Sequence, residues 1–142
     1  MQRITKFQTF DRSLGASPPF HFDVAEDSVT IAAAATYRYS IFEKQSTAQK
    51  YMPFNNVSVT NSSGQDVIFY PNQDLNNGWL IPNNTIKVFK TTEIPALSTF
   101  ALKNNGSSSI ISGVRVEFFN SAASTEFLGQ KIVEKFGGLF GL

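Results

Sequence analysis

The chain has 142 residues, a formal net charge of +1, no cysteine and only 16% charged residues, whereas hydrophobic residues make up 42%. A domain of this length can bury roughly two-thirds of its unfolded surface in one core, so we expect a single folded domain with tails. The scattered basic residues argue against nucleic acid as a partner, and the missing thiols exclude disulfides and thiolate metal sites.

Residues 1–19 are predicted to form an N-terminal arm and loop. The pattern over residues 4–10 is mixed, and Gly15, Pro18 and Pro19 then interrupt any regular element. The first residues lack the apolar core of a secretory signal, and nowhere do about 18 apolar residues run together, as a membrane-spanning helix needs. We therefore expect the protein to be made as a soluble, cytosolic product.

The first strands are predicted soon after residue 20. Phe20, Phe22 and Val24 alternate with polar residues, which is the period of a half-buried strand. Residues 29–41 favour two strands or one long bent strand over a helix, although they include four consecutive alanines. Residues 42–49 predict a short helical turn or a loop.

The middle of the chain predicts a regular series of short strands. Val57 and Val59 precede the turn cluster 61–64, and residues 67–70 are expected to return beside them as a hairpin. Further strands are predicted at Trp79–Ile81, Thr85–Phe89, Phe100–Leu102 and Val114–Phe118. Because strands at about ten-residue spacing with turns between them are typical of sandwiches, we predict a mainly β fold over residues 20–120.

Residues 121–142 predict a C-terminal amphipathic helix with an apolar tail. Ser124-Thr125-Glu126 can cap a helix, after which apolar residues recur at three- and four-residue intervals. The predicted docking residues are Phe127, Leu128, Ile132, Val133, Phe136, Leu139, Phe140 and Leu142. With Lys131 and Lys135 between them, these residues suit a membrane anchor or a peptide that enters a partner's groove. The alternative is that the helix covers an open end or edge of its own domain.

Little in the sequence indicates catalysis. The single histidine, His21, excludes a conventional multi-histidine metal site, and its place between two phenylalanines predicts an outward-facing strand residue. The sequence has no Gly-x-Ser-x-Gly elbow and no glycine-rich phosphate loop. We therefore predict no enzymatic activity and no cofactor.

Two segments are rich in the oxygen-bearing side chains that calcium accepts as ligands. Asp23, Glu26 and Asp27 crowd three carboxylates together, but acids in a solvated turn are the simpler interpretation. Residues 72–76 carry alternating oxygen side chains but lack the glycine and the bidentate glutamate of an EF-hand. The candidate for ligand binding is Trp79, which follows an Asn-Asn-Gly loop and could stack on a sugar or simply pack.

Three segments carry a resemblance to a known class of proteins: residues 57–67, Trp79-Leu80-Ile81-Pro82 and residues 100–106. Each joins a strand to a polar turn, and together they cover less than half of the chain. In these segments and in its composition, the chain resembles small β-sandwich and single jelly-roll proteins of phage particles. Penton and minor capsid proteins of tailless, membrane-containing icosahedral phages are similar in having no cysteine, few charges and many Asn and Ser residues.

The resemblance implies a single jelly-roll fold and a structural role in the virion capsid. It further implies a cyclic homo-oligomer such as a pentamer, contacts to a major capsid protein, and contact of the C-terminal helix with the viral membrane. The alternative function is a carbohydrate- or receptor-binding β-sandwich module, such as a tip or decoration protein, with Trp79 in its site.

Overall fold

The computed structural model describes residues 16–90 and 92–121. The predicted N-terminal arm and the predicted C-terminal helix lie almost entirely outside these residues, so both remain predictions. Within the described ranges, no helix is long and apolar enough to cross a membrane.

The chain divides into two compact units, one of residues 19–119 and one that joins residues 1–18 to residues 120–142. In the second unit, the Ser17 N–H donates to the Asn120 carbonyl oxygen over 2.8 Å. The Asn120 N–H donates in return to the Ser17 hydroxyl oxygen over 2.7 Å. These reciprocal bonds join the two sides of the unit at its described residues.

The unit of residues 19–119 confirms the predicted mainly β fold. Its strands are β1 (Phe20–Asp23), β2 (Thr36–Ser40), β3 (Asn56–Asn61), β4 (Val67–Pro71), β5 (Trp79–Ile81), β6 (Thr85–Phe89), β7 (Thr99–Asn104) and β8 (Val114–Phe119). The first sheet has the strand order β1-β8-β3-β6, and the second sheet has the order β2-β7-β4-β5. All pairings between neighbouring strands are antiparallel.

The strand pairs are nested around the connection between β4 and β5. These two strands pair with each other, and outside them β3 pairs with β6, β2 with β7 and β1 with β8. The chain therefore follows the path of one long hairpin that is rolled into two sheets. Phe20 at the start of β1 lies opposite Phe118 near the end of β8, so the chain enters and leaves this unit at the same end of the first sheet.

The predicted hairpin of residues 57–70 is wrong, because its two strands lie in different sheets. β3 pairs with β6 and β8, whereas β4 pairs with β5 and β7. The Asn61 side chain is the physical reason, since its amide donates to the carbonyl oxygens of Gln65 (2.7 Å) and Ile81 (2.9 Å). This turn is thereby tied to β5 and carries the chain from the first sheet to the second.

The prediction of strand structure over residues 29–35 is also wrong, apart from one bridge. Ile31 makes an isolated antiparallel bridge with Ile110, and regular pairing starts only at Thr36. Ala34 has a positive φ of 66°, which breaks an extended strand, and its N–H donates to the Asn104 carbonyl oxygen. The helical turn predicted nearby is confirmed as helix α1 (Ile41–Lys44), followed by a 3₁₀ helix (Ser46–Tyr51).

The largest fully buried side chains of the core are phenylalanines. Phe100 in β7 lies 5.8 Å from Phe22, 5.7 Å from Phe69 and 6.4 Å from Phe118, measured between ring centroids. Phe22 and Phe118 belong to the first sheet, so these contacts join the two sheets. Because Phe100 is fully buried, truncating it to alanine should cost about 3–5 kcal/mol.

Candidate functional site

Trp79, the predicted ligand-binding residue, is the first residue of β5 and is only partly buried. Its indole packs edge-on against Phe89, with ring centroids 5.1 Å apart and an interplanar angle of 86°. The Lys87 ammonium lies 5.1 Å from the centroid of the indole ring, within cation–π range. Trp79 therefore contributes to packing and also retains surface that a ligand could reach.

A cleft of about 260 Å³ opens beside Trp79. The segment between β4 and β5 lines one side of it through Asn72, Asp74 and Asn77. The segment before β7 lines the other side through Glu93 and Pro95, among others. The cleft thus combines an aromatic ring, two carboxylates and side-chain amides.

Asn72 holds the cleft in shape. Its N–H donates to the Thr99 carbonyl oxygen (2.7 Å), and its side-chain amide donates to the Ala96 carbonyl oxygen (2.9 Å). Its side-chain oxygen accepts from the Ser98 N–H (2.8 Å). Asn72 and Gln73 adopt positive φ values of 54° and 60°, which these bonds help to stabilise. Both walls are therefore joined before any ligand arrives, and the Asn72 side chain is already committed to the fold.

Asp74 caps the turn that leads into β5. One carboxylate oxygen accepts from the Asn76 N–H (3.0 Å), and the other accepts from the Asn77 side-chain amide (2.5 Å). Both donors are neutral, and no ion pair to Asp74 occurs among the described residues. Asp74 is therefore an exposed acid whose charge is not compensated by a neighbouring cation.

Glu93 is the second acid of the cleft, and its negative charge is balanced by a neighbouring lysine. Its carboxylate accepts from the Lys90 N–H (2.8 Å) and lies 3.3 Å from the Lys87 ammonium. The bond from the Lys90 backbone, with a smaller contribution from Lys87, lowers the pKa of Glu93 from its usual value. Glu93 is therefore ionised at neutral pH and holds Lys87 near the indole of Trp79.

In the first candidate calcium segment, Asp23 to Asp27, two of the acids form ion pairs with an arginine. Arg115 lies 3.5 Å from Asp23, 3.2 Å from Glu26 and 2.8 Å from Glu117, measured from guanidinium nitrogen to carboxylate oxygen. Glu26 also lies 2.8 Å from the His21 ring, which is partly exposed on β1. These acids are thus paired with side chains of opposite or neutral charge.

The second candidate calcium segment is residues 72–76. Here the Asn72 and Asp74 side chains bond to backbone N–H groups or to neighbouring amides. No group of three or more metal-ligating His, Asp or Glu side chains occurs in residues 16–90 and 92–121. Both segments therefore serve to fix turns in the part of the chain that the structure describes.

The predicted docking residues Phe127 to Leu142 all lie outside the described residues. Sequence reasoning singled out Trp79 but missed Glu93 and Lys87 beside it. The alternation of Thr85–Phe89 placed Lys87 on the side of the strand that carries Phe89, but nothing local placed Glu93 there. Neither a protein-family model nor a curated protein sequence matches this chain.

Proposed function

We propose that this protein is a virion structural protein with a single jelly-roll fold, a minor capsid or penton-type subunit. The observation that supports this most is the nested order of the eight strands in two antiparallel sheets. Eight antiparallel strands arranged in this way are typical of the jelly rolls of viral capsid proteins, lectins and cupins. Since a fold alone does not decide function, the choice among these depends on surface chemistry.

The loop end favours self-assembly. It is formed by four connections, residues 24–35, 62–66, 82–84 and 105–113, whose charged residues are Glu26, Asp27 and Asp66. In a cyclic ring, one patch of each copy contacts a different patch of the next copy, and a charge buried there without an opposite partner would be costly. Interface cores are likewise depleted in charge. In three of these connections, residues 62–66, 82–84 and 105–113, Asp66 is the one charged residue, so this part of the loop end suits contact with further copies of the chain.

Hydrogen bonds between the loops make this end rigid. The Gly64 N–H donates to the Asn83 side-chain oxygen (2.8 Å), and the Ser107 N–H donates to the Gln65 side-chain oxygen (3.0 Å). The Asn105 N–H donates to the Asp66 carbonyl oxygen (2.9 Å). Because a preorganised surface loses little entropy on association, these bonds favour a stable interface.

The partners in this proposal are copies of the chain, a major capsid protein and, through the predicted helix of residues 127–136, the viral membrane. Light scattering on the full chain and on a chain that ends at residue 121, each with and without vesicles of anionic phospholipid, tests it. A discrete oligomer that binds vesicles only when residues 122–142 are present supports the proposal. A monomer that does not bind the vesicles would rule out both the assembly and the membrane contact.

A second function, binding of a carbohydrate or a carbohydrate-bearing receptor, is supported by the cleft beside Trp79. An aromatic ring next to acids and amides is suited to a ligand with both apolar and hydroxyl-bearing faces. A decoration or tip protein would combine such a site with the same fold. Loss of glycan binding in a Trp79→Ala variant, with retained folding by circular dichroism, would favour this function, whereas unchanged binding would remove it.

A further inference from the structure

We infer that the cleft beside Trp79 binds a single neutral pyranose unit and discriminates against acidic sugars, with Asp74 as the residue that sets this preference. The inference rests on the second function proposed above, carbohydrate binding, and specifies the class of sugar.

Size limits the ligand to one ring. Clefts that enclose drug-sized ligands have volumes of about 300–1,000 Å³. The cleft here is about 260 Å³ and open to solvent, so it takes a smaller group. One terminal sugar of a longer glycan is such a group, and the rest of the glycan would extend into solvent.

The chemistry of the walls matches the two faces of a sugar. The Trp79 indole, together with Pro95 on the opposite wall, offers apolar surface for the C–H face of a pyranose. The Asp74 and Glu93 carboxylates accept hydrogen bonds but cannot donate them when ionised. Sugar hydroxyl groups supply the donors that these acceptors require.

Charge decides between neutral and acidic sugars. Glu93 is offset by Lys87 at 3.3 Å, whereas Asp74 bonds to the neutral Asn76 N–H and the Asn77 amide. The uncompensated negative charge at the cleft therefore belongs to Asp74. No unpaired Lys or Arg lines this cleft in residues 16–90 and 92–121, so a sugar carboxylate placed there would meet like charge, which disfavours binding.

The shape of the site is fixed in advance. Asn72 bonds to Ala96 and Ser98 across the base of the two segments, so the walls are positioned without ligand. Preorganisation of this kind reduces the entropy cost of binding a small ligand. Binding should still be weak, in the millimolar range, because one sugar ring buries little surface.

Trp79 provides a direct readout, because it is the only tryptophan in the chain. The experiment titrates the full-length protein with four probes while recording tryptophan emission. Methyl glucoside is compared with methyl glucuronide, and methyl galactoside with methyl galacturonide. Each pair has the same ring and differs only by a hydroxymethyl group or a carboxylate at one carbon. Asp74→Asn is the test variant, and Asp27→Asn, which removes a turn carboxylate that does not line the cleft, is its matched control.

We expect a saturable emission change with at least one neutral glycoside and binding of its acidic partner weaker by about tenfold. Asp74→Asn should bring that ratio close to one, and Asp27→Asn should leave it unchanged. Equal binding of neutral and acidic partners by the wild-type protein would overturn the preference but leave carbohydrate binding in place. The absence of any saturable change with all four probes would overturn both. If the ratio of neutral to acidic glycoside binding is unchanged in Asp74→Asn, Asp74 does not set the preference.

Discussion

Asn61 and Asn104 are equivalent residues that end β3 and β7, and both are fully buried. Each side-chain amide donates to the carbonyl oxygen four residues further along the chain, over 2.7 Å in both cases. Each side-chain oxygen accepts from the N–H two residues further along, over 3.0 and 2.9 Å. Each amide also donates over 2.9 Å to a distant carbonyl, that of Ile81 or that of Ile31. The same pattern of three hydrogen bonds therefore stabilises two of the connections between the sheets.

Replacement of Asn104 by alanine should destabilise the fold strongly. The change removes three bonds, to the carbonyl oxygens of Ile31 and Ser108 and from the N–H of Gly106. The Ile31 carbonyl keeps the Ile110 N–H as a donor, and the loss of a buried partner costs about 1–3 kcal/mol. We expect a decrease in the free energy of unfolding of about 3 kcal/mol, measured by urea denaturation. The exposed neighbour Asn105→Ala should cost less than about 0.5 kcal/mol. Similar losses in the two variants would contradict the role assigned to Asn104.

The positions of the strands could be predicted because their local patterns are clear. Residues 56–61 and 114–119 alternate between buried and more exposed side chains, which is the signal that alternation of residue type carries. The partner of each strand could not be predicted. The Asn-Ser-Ser-Gly turn after β3 looks like a hairpin turn, and long-range bonds such as those from Asn61 to Ile81 and from Gly64 to Asn83 hold it between the two sheets.

The candidate site was predictable only in part, for a similar reason. Trp79 was identified because it follows a loop, which is a local feature. Glu93 reaches the same cleft from another segment, and its pairing with Lys87 depends on the course of the chain after β6. A cleft formed by separate connections has no continuous sequence signature.

Replacement of Gly113 by alanine should be more damaging than the same change at Gly64. Both residues have positive φ, 89° and 92°, so alanine should be strained at each by about 1–2 kcal/mol. A Cβ at Gly113 would lie 2.7 Å from the Ser63 Cα, whereas a Cβ at Gly64 would meet nothing within 4 Å. Thermal unfolding should show an additional loss of about 1–3 kcal/mol for Gly113→Ala. Equal losses of stability in the two variants would show that the backbone near Ser63 can shift to accommodate the added methyl group.

Emission from Trp79 should depend on pH through Glu93. The pKa of Glu93 is lowered from 4.5, mainly by the Lys90 N–H, so its pairing with Lys87 is complete at neutral pH. That pairing is lost as the pH falls through the lowered pKa, and Lys87 is then no longer held near the indole. Tryptophan emission followed from neutral to acid pH should show this transition. It should be absent from Glu93→Gln, and its persistence there would assign it to another group.

Ile111 and Ile86 offer a matched pair for locating the self-association surface. They are exposed to a similar degree, 66% and 64%, but Ile111 lies in the loop end and Ile86 on the edge strand β6. Glutamate at position 111 would bury an unpaired charge in the ring interface, whereas glutamate at position 86 would remain in solvent. We expect Ile111→Glu to dissociate the oligomer at least tenfold more readily than Ile86→Glu, measured by sedimentation.

The most direct test of self-assembly is the mass of the full-length wild-type protein by native mass spectrometry, beside the Ile111→Glu and Ile86→Glu variants. We expect one closed oligomer for the wild type and Ile86→Glu, and monomers for Ile111→Glu. A wild-type protein that is monomeric at every concentration would contradict a capsid-forming role.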